Sequence, residues 1–352
     1  MSAASLPISL CMIVKNEEAF LDASLRSAKS MLGVDDIVVV DTGSTDKTRE
    51  IAHAHGAQIH DFIWCNDFSA ARNFSAGHAE FDWIFFLDAD EEVTECNRTK
   101  LISFIKDARS VGVGSRIELT NLDTNPVSRL YNRRNYELRG TIHEQIEPLG
   151  SFKKKLIDIP VTLIHYGYLP EVSEAKGTHE RNTRMLKEAL EKQPNDPYLL
   201  FKLGNAYIYK DEATACEYLD KALEYVTDYR LLYVYEAVEL YGYALINTGQ
   251  YEKALALRDK YVKHFGKNPQ FRFLEAHIYQ NNGMFVEAVQ SYESCIGADI
   301  IDHKGITSFL SYYNIGVILE CVGMPEDAVE LYLKCGDYEP AVQRLTEMGV
   351  QH

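Results

Sequence analysis

Short apolar runs separated by polar clusters set the pattern of the first half of the chain. Ile8 to Val14, Ile37 to Val40 and Trp83 to Leu87 are too short for helices, and these near-continuous apolar runs predict strands buried on both faces of a parallel sheet. A weaker strand is predicted at Gln58 to Phe62. Between these runs lie Phe20 to Ser30, Lys47 to His55 and Phe68 to Ala79, which predict helices. Strands alternating with single helices imply right-handed crossovers and a mostly parallel α/β sheet. Beyond Ala108 the pattern changes, and Val111 to Leu119, Ser128 to Asn132 and Ile159 to His165 predict further strands.

Three of these strands stop at polar clusters: Lys15-Asn16-Glu17-Glu18, Asp41-Thr42-Gly43-Ser44-Thr45-Asp46, and Asp88-Ala89-Asp90-Glu91-Glu92. Parallel strands place their carboxyl ends on one edge of the sheet, so the clusters are expected to converge on one crevice. Asp88 and Asp90, one residue apart, can share a divalent cation, and hard oxygen ligands suit Mg²⁺ or Mn²⁺. A cation there clamps a diphosphate and neutralises it as a leaving group. The alternative is that these acids sit in the first turn of a following helix and complement its dipole. Asp41 is likewise either a ligand-binding acid or a turn former beside Gly43. No Gly-rich dinucleotide fingerprint is present, whereas Lys15 and Arg72 near convergent carboxylates suit a metal-bound nucleotide.

Lys-Asn-Glu-Glu after the first strand, Asp-Thr-Gly-Ser-Thr-Asp after the second, Ala71-Arg72-Asn73, and Asp88-Ala89-Asp90-Glu91 occur in an order and spacing that resembles the family 2 glycosyltransferases of the GT-A fold. The resemblance covers roughly the N-terminal half. It implies a nucleotide-sugar site, usually for a uridine diphosphate (UDP) sugar, with Asp41 recognising the base and Arg72 contacting nucleotide or phosphate. Asp88 and Asp90 form the family's Asp-x-Asp pair, one near the ribose and one on the metal, with Lys15 and Glu17 on the same rim. Glu17 and Glu18 are otherwise helix N-terminal acids.

Inverting sugar transfer needs a base on the face opposite the leaving diphosphate, and Glu144 in Ile142-His143-Glu144-Gln145 is the candidate. Its alternatives are a surface acid or a partner of Arg133 or Arg139. His143 either orients Glu144 or is itself the base. His165, at the end of an apolar strand, reads as an ordinary partly buried histidine. By resemblance to GT-A enzymes, and to lipopolysaccharide-core glycosyltransferases with a His-Glu and a late histidine, it becomes a third metal ligand.

From Thr178 onward β-branched runs give way to Leu, Ala, Tyr and Glu at helical spacing. Four helix pairs repeat a small residue, a turn and an alanine: Gly204 to Ala215, Gly242 to Ala254, Ala276 to Ala288 and Gly316 to Ala328, followed by Leu219, Arg258, Tyr292 and Tyr332. With Gly249, Gly283 and Gly323 at a constant offset, the pattern resembles the tetratricopeptide repeat. The expected domains are therefore residues 1–175, a GT-A nucleotide-sugar-binding catalytic domain, and residues 176–352, an all-α repeat domain. Repeat arrays form curved, often peptide-binding surfaces, or else stiffen a neighbour or form a homodimer. The tyrosines, among them Tyr198, Tyr207, Tyr209, Tyr233, Tyr235, Tyr241 and Tyr243, are expected mostly in the repeat core, with some on a concave face.

Composition narrows the partners. A formal net charge of -16 argues against nucleic acid or an anionic lipid surface, and Lys153-Lys154-Lys155 is too short a run to reverse that. Seven cysteines without a Cys-x-x-Cys pair read as small buried hydrophobes in a reducing compartment, and no transmembrane segment is evident, so a cytoplasmic protein is expected. A repeat tail on a family 2 domain resembles bacterial peptide glycosyltransferases, including cysteine-modifying bacteriocin enzymes. The resulting expectation is a metal-dependent inverting hexosyltransferase that moves sugar from a UDP-sugar to a peptide or protein acceptor. A lipid-linked or lipopolysaccharide acceptor is the alternative substrate, and a non-catalytic repeat scaffold the alternative class.

Overall fold

The computed structural model describes residues 6–106, 113–115, 128–151, 156–169, 171–172, 177–298 and 305–350. The chain forms two compact units, Met1–Met185 and Leu186–His352. Most of the expected strand at Val111 to Leu119, and the Lys153–Lys155 run, lie outside the described residues.

In the first unit, β1 (Ile8–Val14), β2 (Asp36–Asp41), β3 (Gln58–Asp61), β4 (Trp83–Phe86), β5 (Glu91–Cys96), β6 (Val113–Ser115), β7 (Ser128–Asn132), β8 (Tyr136–Arg139), β9 (Gln145–Pro148), β10 (Leu156–Ile157) and β11 (Val161–His165) follow in chain order. Seven of them form one sheet in the order β10-β6-β7-β4-β1-β2-β3. The block β4-β1-β2-β3 is parallel, and β7 joins β4 antiparallel. Its strands are apolar on both faces because both faces are covered. Leu10, Met12, Val39 and Phe85 pack with Leu21 and Leu25 of α1 (Leu21–Leu32) on one side. Cys11, Val38, Val40 and Phe86 pack with Ala76 of α3 (Phe68–His78) and with Tyr136 and Ile146 on the other. The helix α2 (Thr48–Ala54) links β2 to β3.

Asp88 to Glu92 leads into a strand, so the helix-first-turn alternative for these acids is incorrect. β5 pairs antiparallel with β11, with Glu91 opposite His165. That pairing is non-local and gives β5 one buried face, carrying Glu91 and Val93.

In the second unit, helices pair as 197–207 with 212–224, 232–247 with 251–265, 269–281 with 285–293, and 309–321 with 325–333. The small residues permit close approach: a methyl group added at Gly204 would meet Leu219 Cγ at 2.7 Å, and one at Gly316 would meet Tyr332 Cε1 at 2.6 Å. At Gly242 the neighbour is Leu274 of the following pair, not Arg258. Gly249, Gly283 and Gly323 take φ of 72°, 71° and 85°, the left-handed turn conformation glycine tolerates best. Tyr235 and Tyr241 are core, but Tyr209 is 95% exposed. The cysteine expectation is also incomplete, since Cys65 and Cys321 are exposed while Cys11, Cys216, Cys295 and Cys335 are buried. No helix among the described residues is long and apolar enough to cross a membrane.

Candidate active site

The loops after β1 and β2 are stitched together. Asn16, with φ of 56°, donates its N–H to Ser44 Oγ at 3.0 Å and accepts from Thr45 N at 2.8 Å. Glu17 N donates to Thr48 Oγ1, Glu18 N donates to Asp46, and the Glu18 carboxylate accepts from Lys47 N at 3.1 Å. Glu18 thus serves the N-terminus of α2 rather than the helix following it in sequence. Lys15 is exposed.

Asp41 is 3% exposed and does form its turn: Oδ1 accepts from Ser44 N at 3.0 Å and Ser44 Oγ at 2.6 Å, beside Gly43 with φ of 105°. Its Oδ2 accepts from Arg49 Nη1 at 2.8 Å, and Arg49 also reaches Asp61 at 2.5 Å. Burial pushes the Asp41 carboxyl up, but the hydrogen bonds from Ser44 and Arg49 outweigh it and hold it below the usual carboxylate range.

The densest network lies past the end of β4. Arg72, on the buried face of α3, donates from Nη2 to Asp88 Oδ1 at 2.6 Å and from Nε to Glu144 Oε1 at 2.5 Å. Arg129, from β7, contacts Asp88 at 3.3 Å and pairs with Glu91. Glu91 Oε2 also accepts from Asp88 N at 3.0 Å. Both guanidinium groups lie over the Phe86 ring, with Arg72 Cζ 4.8 Å and Arg129 Cζ 4.9 Å from its centroid. His165 Nε2 lies 3.2 Å from Asp90 Oδ1, and its Nδ1 3.6 Å from Glu91 Oε1.

These contacts set the charges. Burial opposes the charge on Asp88, yet Arg72 and Arg129 hold its carboxyl far below the usual range. Glu91 is 0% exposed, and burial pushes its carboxyl up despite Arg129. Burial lowers His165, but Asp90 and the neighbouring acids more than reverse this and raise it.

Arg72 is 7% exposed and bridges two acids through Nε and Nη2, while its Nη1 is buried with no hydrogen-bond partner among the described residues. Glu144 has Arg72 as its partner, not Arg133 or Arg139. His143 adopts φ of 52° in the turn that directs Glu144 inward. Asp88, Asp90, His165, Arg72 and Glu144 are therefore brought together, whereas Asp41 belongs to a separate cluster with Arg49 and Asp61.

Three participants escape the sequence reading. Glu91 is legible from the alternation that puts it on the face of Val93. Arg129 carries no local signal, because its role depends on β7 joining β4. Gly167 is the third: a methyl group there would come within 2.5 Å of Asp90 Oδ2 and 2.7 Å of His165 Nε2, so only glycine leaves these side chains in place.

The donor set fits a divalent cation. Ligand atoms of Asp88, Glu91 and His165 lie within 4.8 Å of one another, and Asp90 touches the same imidazole. Carboxylates outnumber guanidinium groups in the network, so a divalent cation would reduce its excess negative charge. Glu91 is enclosed by Arg129 and Asp88 N, whereas Asp90 meets the cluster through His165.

A mainly parallel mixed sheet with acids gathered past the carboxyl ends of its strands, in a chain that continues into paired helices, defines an α/β unit with an acidic site followed by a helical repeat array. Residues 9–160 match the family model for glycosyl transferase family 2, and residues 269–299 that for the tetratricopeptide repeat. The chain thus carries a family 2 glycosyl transferase domain followed by tetratricopeptide repeats. A TPR repeat-containing protein of Synechococcus elongatus is 34% identical over 228 residues, covering 62% of this chain and 56% of that protein. The SPbeta prophage-derived glycosyltransferase SunS of Bacillus subtilis is 28% identical over 229 residues, covering 61% and 53%. The chain spans about half the length of these curated relatives. A solved MamA structure from Desulfovibrio magneticus aligns with TM-score 0.40 and 19% identity over 49% of this chain and 91% of that one.

Proposed function

We propose that this protein is a metal-dependent inverting glycosyltransferase that moves a sugar from a UDP-sugar to a peptide or protein acceptor. The observation that carries the reading is the convergence of Asp88, Asp90, Glu91, His165 and Glu144 around two buried arginines at the carboxyl edge of the sheet. The family 2 domain and a relative named as a glycosyltransferase support the reaction class. The repeat array supports a peptide or protein acceptor, because stacked helix pairs present extended surfaces.

Asp88, Asp90 and His165, with Glu91 behind them, would hold Mn²⁺ or Mg²⁺. When bound, such an ion supplies positive charge that stabilises the departing diphosphate. Arg72 positions two parts of the site together, fixing Asp88 on the donor side and Glu144 on the acceptor side. Among the described residues Arg72 engages Glu144 through Oε1, which leaves Oε2 to take the proton of an acceptor hydroxyl or thiol. The acceptor oxygen or sulfur then bonds to the anomeric carbon, the bond from that carbon to the diphosphate oxygen breaks, and UDP leaves with the electron pair. Asp41 and its loop would bind the base.

The test is hydrolysis and transfer assayed with a panel of UDP-sugars, with and without Mn²⁺, for the wild type and Asp90→Ala. Wild-type release of UDP that needs Mn²⁺ and falls by at least about 100-fold in the variant is expected, the scale of losing one charge-stabilising group. Unchanged release in a folded Asp90→Ala protein refutes the site assignment. Transfer to lipid extracts but not to peptides would replace the proposed acceptor class.

A further inference from the structure

Arg181 stands beside this site without belonging to the network. It lies beyond residues 9–160, at the start of the helix Thr178–Lys192. Its guanidinium sits 5.6 Å from the centre of the Phe68 ring, and Phe68 and Arg72 are one turn apart on α3, so they share a face. Phe68 N also donates to Thr141 O at 2.9 Å, which ties this position to the loop carrying Glu144. Arg181 therefore lies one helical turn along from the arginine that bridges Asp88 and Glu144.

Arg72 and Arg129 each bridge two carboxylates. Arg181 differs. Its Nε and Nη2 both donate to Asn182 Oδ1 at 3.2 Å, and among the described residues it has no carboxylate within ion-pair distance. The carboxylates of Glu17, Asp90 and Asp88 are close enough to pull its proton affinity up, yet burial prevails and holds it below the usual guanidinium range. A half-buried guanidinium held against the Phe68 ring, one turn from Arg72, and closed onto no carboxylate among the described residues is poised for an anion.

We propose that Arg181 is a donor-site residue that binds the diphosphate of the sugar nucleotide, extending the site beyond the residues the family model covers. The assignment rests on the donor reading above. A guanidinium offers planar, paired N–H groups that match phosphate oxygens, and stacking on Phe68 would hold its plane in place. In this arrangement Asn182 acts as a positioning residue, fixing the rotation of the guanidinium through its side-chain oxygen.

The experiment compares UDP with uridine by calorimetry in the presence of Mn²⁺, using the full chain as wild type, Arg181→Ala and Arg181→Lys. Arg181→Ala should lose at least about tenfold in UDP affinity while its uridine affinity stays unchanged, and Arg181→Lys should recover part of the loss. Thermal unfolding of each unliganded variant checks that the fold is kept, and Arg181→Lys carries the comparison if the alanine variant does not fold. A wild type that binds UDP, with Arg181→Ala binding it equally well, overturns the Arg181 assignment and leaves the donor reading intact. Equal losses for UDP and uridine also overturn it, since they mark a general distortion. A wild type that binds neither ligand overturns the donor reading and the assignment together.

Discussion

Replacing Arg129 by methionine tests the buried network without any assumption about catalysis. The side chains of Arg129 and Glu91 are 11% and 0% exposed, so solvent cannot compensate for the loss of either partner. Asp88 keeps Arg72, but Glu91 would retain only the N–H of Asp88 and a histidine at 3.6 Å. Removing one member of such a pair costs about 3–5 kcal/mol, because the remaining charge stays buried. The expected loss for Arg129→Met is in that range, a large share of the roughly 5–15 kcal/mol that stabilises a domain.

The assay is urea unfolding followed by tryptophan fluorescence. Both tryptophans, Trp64 and Trp83, lie in the first unit, so the signal reports that unit alone. Combining Arg129→Met with Glu91→Gln removes the stranded charge, and the double variant should be less destabilised than the sum of the singles by at least about 1 kcal/mol. Acid provides an independent check. Burial already raises the folded-state pKa of Glu91 above its unfolded value, and Arg129→Met raises it further, so the added penalty is absent below the unfolded value and grows as pH climbs from there toward the folded one. The gap to wild type should therefore narrow on acidification. A loss under about 1 kcal/mol, or strict additivity in the cycle, would show that the two charges are not coupled as described.

Gly167→Ala should displace Asp90 and His165 from their present positions, weakening Mn²⁺ binding about 10–100-fold, as measured by calorimetry; an unchanged affinity would remove Asp90 and His165 from the metal site. Asp41→Asn should cost about 1.5–3 kcal/mol near neutral pH, because an amide cannot replace a carboxylate between Ser44 and Arg49. As the folded-state pKa of Asp41 is depressed, its contribution is present above the unfolded value and disappears as pH falls through the folded one. Urea midpoints measured down this acid range should converge for wild type and variant, and a constant gap would contradict the ion-pair account.

Much of the first unit could be read without coordinates because its strands and helices declare themselves locally. Ile8–Val14 is apolar along almost its whole length because it is a central strand, and the start of α3 at Phe68 follows Asp67, whose side chain accepts from Ala70 N. The repeat glycines were legible for a similar reason, since helix pairing needs a small residue and a left-handed turn at regular intervals. The acids after β4 were visible too, but their following element was ambiguous: Glu91 to Cys96 becomes a strand only because β11 arrives from far along the chain to pair with it.

The sequence by itself determined the order of strands and helices as far as β4, the repeat array and the acids at the strand ends, since these follow from periodicity and the common direction of parallel strands. Tertiary structure alone decided how the charges are shared. Arg72 turned out to bridge Asp88 and Glu144, Arg129 to neutralise Glu91, and Gly167 to make room for Asp90 and His165. Ion pairing inside a protein depends on distances of a few ångströms between residues far apart in the chain, and no local pattern encodes those distances.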